Sequence, residues 1–394
     1  MDREQFSIIM LHYNQPQYVI GALDSVIAQN YENIEFIFAD DASRQVDLDL
    51  IKAYIEKNKG ENIKNVQYII NESNMGTVKT VNRAVKAARG KYLLFFAADD
   101  ALYDKNVISN FVDAFARADQ NDYMISSQCH MMDALMEKEL HCFVSPSVGK
   151  AFNEFSSFDQ YCVFCEECFL AIGATAMRRE MFEKFGFFDE EYKYVEDWSY
   201  FLRLTRMGGH VKYEDFDGLL HRDGGISHTK ETKKIPPHVL GYKFDIVRIF
   251  EKEILPYTKQ MDSKTRSLLV ARYVDEKRAY HACGGTQKGM NSLAFFALFP
   301  SYCVQRLFFP LTRNWEWMCR MGRAAATLSL ICIGLLFLSE HFKQYGISLA
   351  IWIFTYVFAA IFVLAALATV GIFFLRCGVL FLKKCKKLFS RKER

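Results

Sequence analysis

Between residues 6 and 118 two hydrophobic patterns alternate along the chain. Short runs rich in β-branched and aromatic side chains occur at 6–12, 34–39, 66–70 and 91–97. Longer segments at about 17–30, 46–58, 77–89 and 104–118 separate them, and their apolar residues recur at helical spacing. The alternation predicts βαβ units, hence a mainly parallel sheet covered by helices. Helix starts are expected after Asn14-Gln15-Pro16, at Ser43 and at Asp104. In such sheets ligands bind beyond the carboxyl ends of the strands.

From 122 to 177 the pattern is less regular, with strand-like pieces at 123–132 and 169–179. A helix is predicted over 197–208, "DWSYFLRLTRMG", ended by Gly208 and Gly209. Residues 232–290, beyond Pro236 and Pro237, read as charged amphipathic helices, and no internal repeat or low-complexity segment stands out.

The character changes near residue 291. Residues 292–311 are apolar but broken by Pro300, Arg306 and Pro310, which suits an interfacial helix. Residues 324–339 hold no charge over 16 positions and 347–375 none over 29, so membrane helices are expected at about 322–339 and 347–375. Arg313, Arg320 and Arg323 precede the first and "KKCKKLFSRKER" follows the second. By the positive-inside rule both ends of this hairpin face the cytoplasm.

Composition refines this picture in two respects. The whole chain carries +3, but residues 376–394 hold eight Lys/Arg and one Glu, a local +7 that leaves −4 for residues 1–375. Basic character therefore belongs to the tail, and a nucleic-acid-binding body is excluded. Eleven cysteines at irregular positions, and a start "MDREQ" without a signal-peptide pattern, imply a reducing cytoplasm for the N-terminal region. Cys162, Cys165 and Cys168 form C-x-x-C-x-x-C, but without a fourth ligand or turn glycines nearby they read as packing rather than a metal site.

Three acidic sites fall where a strand or helix end would present them to the ligand edge: "FIFADDAS" (Asp40, Asp41), "FFAADDALY" (Asp99, Asp100) and "YVEDWSYFLRL" (Glu196, Asp197). One carboxylate pair after a strand is commonly a helix cap or turn. Two such pairs, after the second and fourth strands of one sheet, ask for more. Clustered carboxylates repel unless a cation sits among them, and oxygen sets of this kind suit Mg²⁺ or Mn²⁺ beside a substrate's phosphates.

"FSIIMLHYNQPQYVIGALDSVIAQNYENIEFIFADDAS", "NMGTVKTVNRAVKAARGKYLLFFAADD" and "ATAMRREMFEKFGFFDEEYKYVEDWSYFLRL" occur in that order. Together they resemble the motif blocks of family 2 inverting glycosyltransferases, over about residues 6–228. The resemblance implies an α/β, GT-A nucleotide-diphospho-sugar transferase fold with a mainly parallel, Rossmann-like sheet. It implies a catalytic domain at 1–230, followed by a helical or interfacial region at 231–311, the transmembrane hairpin at 312–382 and a basic cytoplasmic tail at 383–394. Tyr13 is then expected in the nucleotide pocket, Asp41 on the base ring, Asp100 with Asp99 on a divalent cation (Mn²⁺ or Mg²⁺), and Asp197 as general base. The implied donor is a nucleotide sugar, UDP-linked by preference, and the two expected membrane spans, which place the site beside the lipid, add a lipid-linked saccharide as the expected acceptor.

The chain departs from that family's usual pattern. Ala98 stands where a first acidic residue is often found, and Val81 precedes Asn82 where many members have Arg, leaving Lys79 as a diphosphate partner. His221 and Arg222, in "LLHRDGGIS", fall where the family has a segment closing over the diphosphate. No Gln-x-x-Arg-Trp signature of the processive members is present, which favours addition of one sugar. Two other readings stand beside this one. Nucleotidyl transfer is weakened because "LHYNQPQ" replaces a glycine-rich phosphate loop. A catalytically degenerate membrane scaffold is opposed by the presence of Asp41, Asp100 and Asp197.

Overall fold

The computed structural model describes residues 3–44, 47–224, 237–285 and 298. Its first part follows the hydrophobic pattern: β1 (Phe6–His12), α1 (Val19–Ile27), β2 (Ile34–Asp40), α2 (Leu48–Asn58), β3 (Ile63–Ile70), α3 (Thr77–Ala87) and β4 (Tyr92–Ala97). β1 lies between β2 and β4, with β3 outside β2, and every pair is parallel. Successive side chains leave a strand on opposite faces. In β1, Ile9 joins one core while Phe6, Ile8 and Met10 join the other. β4 divides in the same way, Leu93 and Phe95 opposing Tyr92, Leu94 and Phe96. Burial on both faces is why these runs are continuously apolar, and each such large side chain contributes about 1.5–3 kcal/mol.

Register decides where the chemistry lies. His12 pairs with Asp40, Asp40 with Ile70, and Leu11 with Ala97. The four carboxyl ends therefore stop almost level, and the residues that follow them share one edge of the sheet.

Two expected helix starts are corrected. Asp47, not Ser43, caps α2, its Oδ1 accepting from the N–H groups of Asp49 and Leu50 at 3.0 and 3.1 Å. Ser43 is drawn away because its hydroxyl donates to Asp40 at 2.5 Å. A short strand, β5 (Ala101–Leu102), follows the second acidic pair, and α4 (Val107–Arg117) begins three residues beyond Asp104. Asp104 accepts from the N–H of Asn106 at 2.7 Å, so it organises the entry without being the cap residue.

The second part consists of β6 (Asp122–Met132), β7 (Glu139–Cys142), α5 (Pro146–Asn153), α6 (Ser157–Glu166), β8 (Thr175–Arg178), α7 (Met181–Phe185), α8 (Glu196–Arg206) and β9 (His210–Arg222). The sheet of the described residues runs β3-β2-β1-β4-β8-β6-β9-β5, with β7 paired to β6. β8 is antiparallel to both β4 and β6, so it joins the parallel half to the rest. α8 ends as expected: Gly208 takes φ 89°, its N–H donates to the Thr205 carbonyl, and the Gly209 N–H donates to the Leu204 carbonyl. That pair of bonds satisfies carbonyls the helix leaves open, and the left-handed φ suits glycine.

α9 (Pro237–Ile249) and α10 (Ser263–Ala282) follow. Ile246, Ile249 and Leu269 enter the same core as Trp198, Tyr200 and Phe201 of α8. Cys165 is buried in that core, and Cys162 and Cys168 pack against it. Among the described residues no helix is long and apolar enough to cross a membrane. The segments expected to do so, 322–339 and 347–375, and the basic tail lie outside those residues.

Candidate active site

The edge beyond β1, β2, β3 and β4 collects most of the expected residues. Asp40 ends β2 fully buried, its Oδ1 2.6 Å from His12 Nδ1 and its Oδ2 2.9 Å from the Ser43 N–H. Burial alone would raise Asp40, but hydrogen bonds from His12 and Ser43 outweigh it and hold the carboxyl below its ordinary range. Asp41 faces the next strand. It accepts from Asn71 Nδ2 at 2.8 Å and from the N–H groups of Met75 and Gly76 at 2.7 and 2.9 Å. A carboxylate offers about four acceptor positions, so about one is left for a ligand. These bonds fasten the β3–α3 turn to β2 and compensate the left-handed φ of 61° at Ala42.

β4 delivers the second pair. Asp100 is buried and receives His221 Nδ1 at 3.0 Å on each carboxylate oxygen and the Arg222 N–H at 3.0 Å. The β5–β9 ladder, Ala101 opposite Leu220, sets β9 against this turn. Arg222 continues the clasp: its Nε donates to the Asp99 carbonyl at 2.9 Å and its Nη1 to the Ala134 carbonyl at 2.6 Å, while the guanidinium lies 4.1 Å from the Tyr18 ring centre. Burial, then the charge of Asp100, pushes Asp99 above the ordinary carboxylate range. For His221 burial opposes the charged form, but the hydrogen bond to Asp100 and the nearby Asp99 charge outweigh it and raise the imidazole.

Glu196 and Asp197 occupy the first turn of α8, where the helix N-terminus favours negative charge. Even so, burial and then the neighbouring Asp197 push Glu196 up to about 8. Asp197 is also raised, by burial, although its Oδ1 accepts the Trp198 N–H at 2.6 Å. Tyr13 and Lys79 are exposed, the first just past β1 and the second on the first turn of α3.

Residues 7–186 match the model described as glycosyl transferase family 2. Over that stretch, less than half of the chain, the similarity is to family 2 glycosyltransferases. An uncharacterized glycosyltransferase of Rickettsia prowazekii is 28% identical over 203 residues, 51% of this chain and 58% of the relative. An amylovoran biosynthesis glycosyltransferase of Erwinia amylovora is 22% identical over 205 residues, 52% of this chain and 64% of its own. The chain thus spans less than two thirds of the length of these relatives. The structure of S. aureus TarS in complex with UDP-GlcNAc superposes with a TM-score of 0.48 at 17% identity, over 70% of this chain and 73% of that one.

The departures from the family pattern within the matched stretch have structural counterparts. Ala98 is fully buried and its N–H donates to the Leu11 carbonyl at 2.8 Å. A carboxylate there would be desolvated inside the sheet, so the acidic function begins at Asp99. Val81 is likewise fully buried, which leaves exposed Lys79 as the cation of that helix turn. Asn82 bridges α3 to the approach of α8, donating to the Phe188 carbonyl at 2.9 Å and accepting the Phe188 N–H at 3.1 Å.

Several residues of this edge escape a reading of sequence spacing. His12, Ser43 and Asn71 hold the two aspartates of the first pair, and the only signal for them is their place directly at or after a strand's carboxyl end. At the second pair Asp99 and Asp100 offer carboxylate oxygens of the kind Mn²⁺ or Mg²⁺ takes, and burial, then the charge of Asp100, raises Asp99.

Proposed function

We propose that this chain is an inverting glycosyltransferase that moves one sugar from a nucleotide sugar, UDP-linked by preference, to an acceptor hydroxyl. The observation that carries the reading is the Asp99–Asp100 turn at the carboxyl end of β4, clasped by His221 and Arg222 and lying inside the stretch that matches the family 2 model.

Asp100 and Asp99 are the residues that would hold Mn²⁺ or Mg²⁺, whose charge would offset that of the departing diphosphate. The chain's own residues do the rest. Asp41, with one acceptor position open and its other three fixed by donors, meets the N–H of the base ring, and exposed Tyr13 covers that ring. Lys79 and Arg222 supply positive charge toward the phosphates. Asp197 takes the proton of the acceptor hydroxyl as the new bond forms. Its raised proton affinity suits a general base, which works best when its pKa approaches the operating pH.

The acceptor is a lipid-linked saccharide, and the catalytic domain sits on the cytoplasmic side of the membrane. The uncharged stretches at 324–339 and 347–375 and a relative named for amylovoran biosynthesis support this. Equal turnover on short soluble and lipid-linked acceptors would remove it.

The deciding experiment is a panel of nucleotide sugars presented to the purified protein with Mn²⁺, scoring transfer, hydrolysis and protection from unfolding. Asp197→Asn is expected to lower turnover at least ~10²-fold while nucleotide binding persists. Undiminished turnover removes Asp197 from the base role. Nucleotide binding without transfer or hydrolysis by the unaltered protein points instead to a scaffold.

A further inference from the structure

The β6–β7 hairpin carries a second cluster that sugar transfer does not use. Cys142 is the ladder partner of His130, and Glu139 is the partner of Met132, two residues along β6. Side chains directly opposite, or two apart, share a face of the ladder. His130 Nδ1 lies 3.1 Å from Glu139 Oε2 and 3.5 Å from Cys142 Sγ, and Cys142 Sγ lies 3.2 Å from Glu139 Oε1. A tetrahedral cation with bonds of about 2.0–2.3 Å spaces its ligands about 3.3–3.8 Å apart. The hairpin already holds its three donors close to that spacing, with one ligand atom from each lying within 4.8 Å of the others.

The other edge of the imidazole is also arranged. His130 Nε2 is 2.7 Å from Asp217 Oδ1 on β9. A carboxylate at Nε2 can hold the ring proton there, and in that tautomer the Nδ1 lone pair is directed at Glu139 and Cys142, as in carboxylate–histidine–metal arrangements. His130 is buried and Tyr103 packs on its ring, centroids 4.9 Å apart, which fixes the ring plane. Glu139 and Cys142 are exposed, which leaves a path for an ion.

We propose that His130, Glu139 and Cys142 bind a zinc-class divalent cation, with His130 oriented by Asp217 and a fourth position open to solvent. One nitrogen, one sulfur and one oxygen select Zn²⁺ over Mg²⁺ or Mn²⁺, so this site and the Asp99–Asp100 site take different ions. On binding, the Cys142 thiol releases its proton to solvent and the thiolate joins the ion. The ion ties β7 to β6. β6 in turn pairs with β9 at His130–Leu220 and Met131–His221, so the strand that carries His221 is braced as well.

The test uses the full-length chain, stripped with a chelator, kept reduced, and supplied with Zn²⁺ or Co²⁺ alone. One equivalent of Zn²⁺ should survive gel filtration and raise the thermal midpoint. Co²⁺ should give an intense near-ultraviolet thiolate-to-cobalt band with the visible bands of a tetrahedral ion. Cys142→Ser should lose that band and weaken Zn²⁺ binding at least ~10-fold. Cys162→Ser should keep both. Glu139→Gln, a second exposed position, should weaken binding without removing the band. Zn²⁺ retained equally by Cys142→Ser, or a Co²⁺ spectrum without thiolate character, overturns the proposal.

Discussion

The two acidic pairs of the sheet edge, Asp40–Asp41 and Asp99–Asp100, follow strands that flank the same neighbour, β1, yet their carboxylates live in opposite conditions. His12 and Ser43 saturate Asp40, Asn71 and the Met75–Gly76 backbone nearly saturate Asp41, and Asp40 is held below the ordinary range. In the second pair, burial and the charge of Asp100 raise Asp99, and the partners come from a distant strand: His221 Nδ1 and the Arg222 N–H on Asp100, and Arg222 Nε on the Asp99 carbonyl. Adjacent aspartates after a strand are thus one sequence signal with two physical uses. The first pair holds a turn in place and leaves about one acceptor position, on Asp41, for a ligand. The second keeps a carboxyl of raised proton affinity, Asp99, at the edge.

Substitutions can break that contrast, beginning with the largest effect. Asp100→Asn should cut sugar transfer ~10²–10³-fold, the scale seen when one electrostatic stabiliser of a reacting group is lost, with a smaller loss of stability than Asp40→Ala because asparagine keeps an acceptor oxygen for the Arg222 N–H. Asp40→Ala should do the reverse. It removes hydrogen bonds to a buried charge, each worth about 1.5–3 kcal/mol, and so should cost about 3 kcal/mol in denaturant unfolding. If both variants lose stability alike, the division of labour between the pairs is wrong.

A third, smaller effect concerns Glu196, whose carboxyl is raised from 4.5 to about 8. A carboxyl raised on folding favours the protonated native state, so its ionisation weakens the fold as pH climbs. Glu196→Gln should therefore leave stability unchanged below about pH 4.5 and add most above about pH 8. Urea midpoints measured for both proteins across that range check the sign. Smallest of all, Lys79→Ala on the exposed turn of α3 should raise the KM for a nucleotide sugar a few-fold, within about 1 kcal/mol, with kcat nearly constant.

Much of the parallel half was legible in the chain because its strands are buried on two faces. A run such as "YLLFFA" has no amphipathic alternative, and its flanking helices repeat at 3.6 residues. Ser43 was misread because a serine before a helical segment fits a cap equally well whether or not a buried aspartate competes for its hydroxyl. Glu35 was invisible for a similar reason. It lies fully buried inside β2, where Ser7, Gln67, Asn65 and the Arg89 N–H bind its carboxylate. None of those partners is near it in sequence.

The chain by itself determined that strands of a mainly parallel sheet alternate with helices, where those strands end and that aspartates stand at those ends, because hydrophobic period and strand termination are local properties. Only the tertiary structure decided what each aspartate does. The donors that satisfy Asp41, the His221 that meets Asp100 and the Cys142 that faces His130 come from 30–35, 121 and 12 positions away. A carboxylate's role depends on the charges and donors within a few ångströms of it, and sheet register, not sequence spacing, sets that neighbourhood.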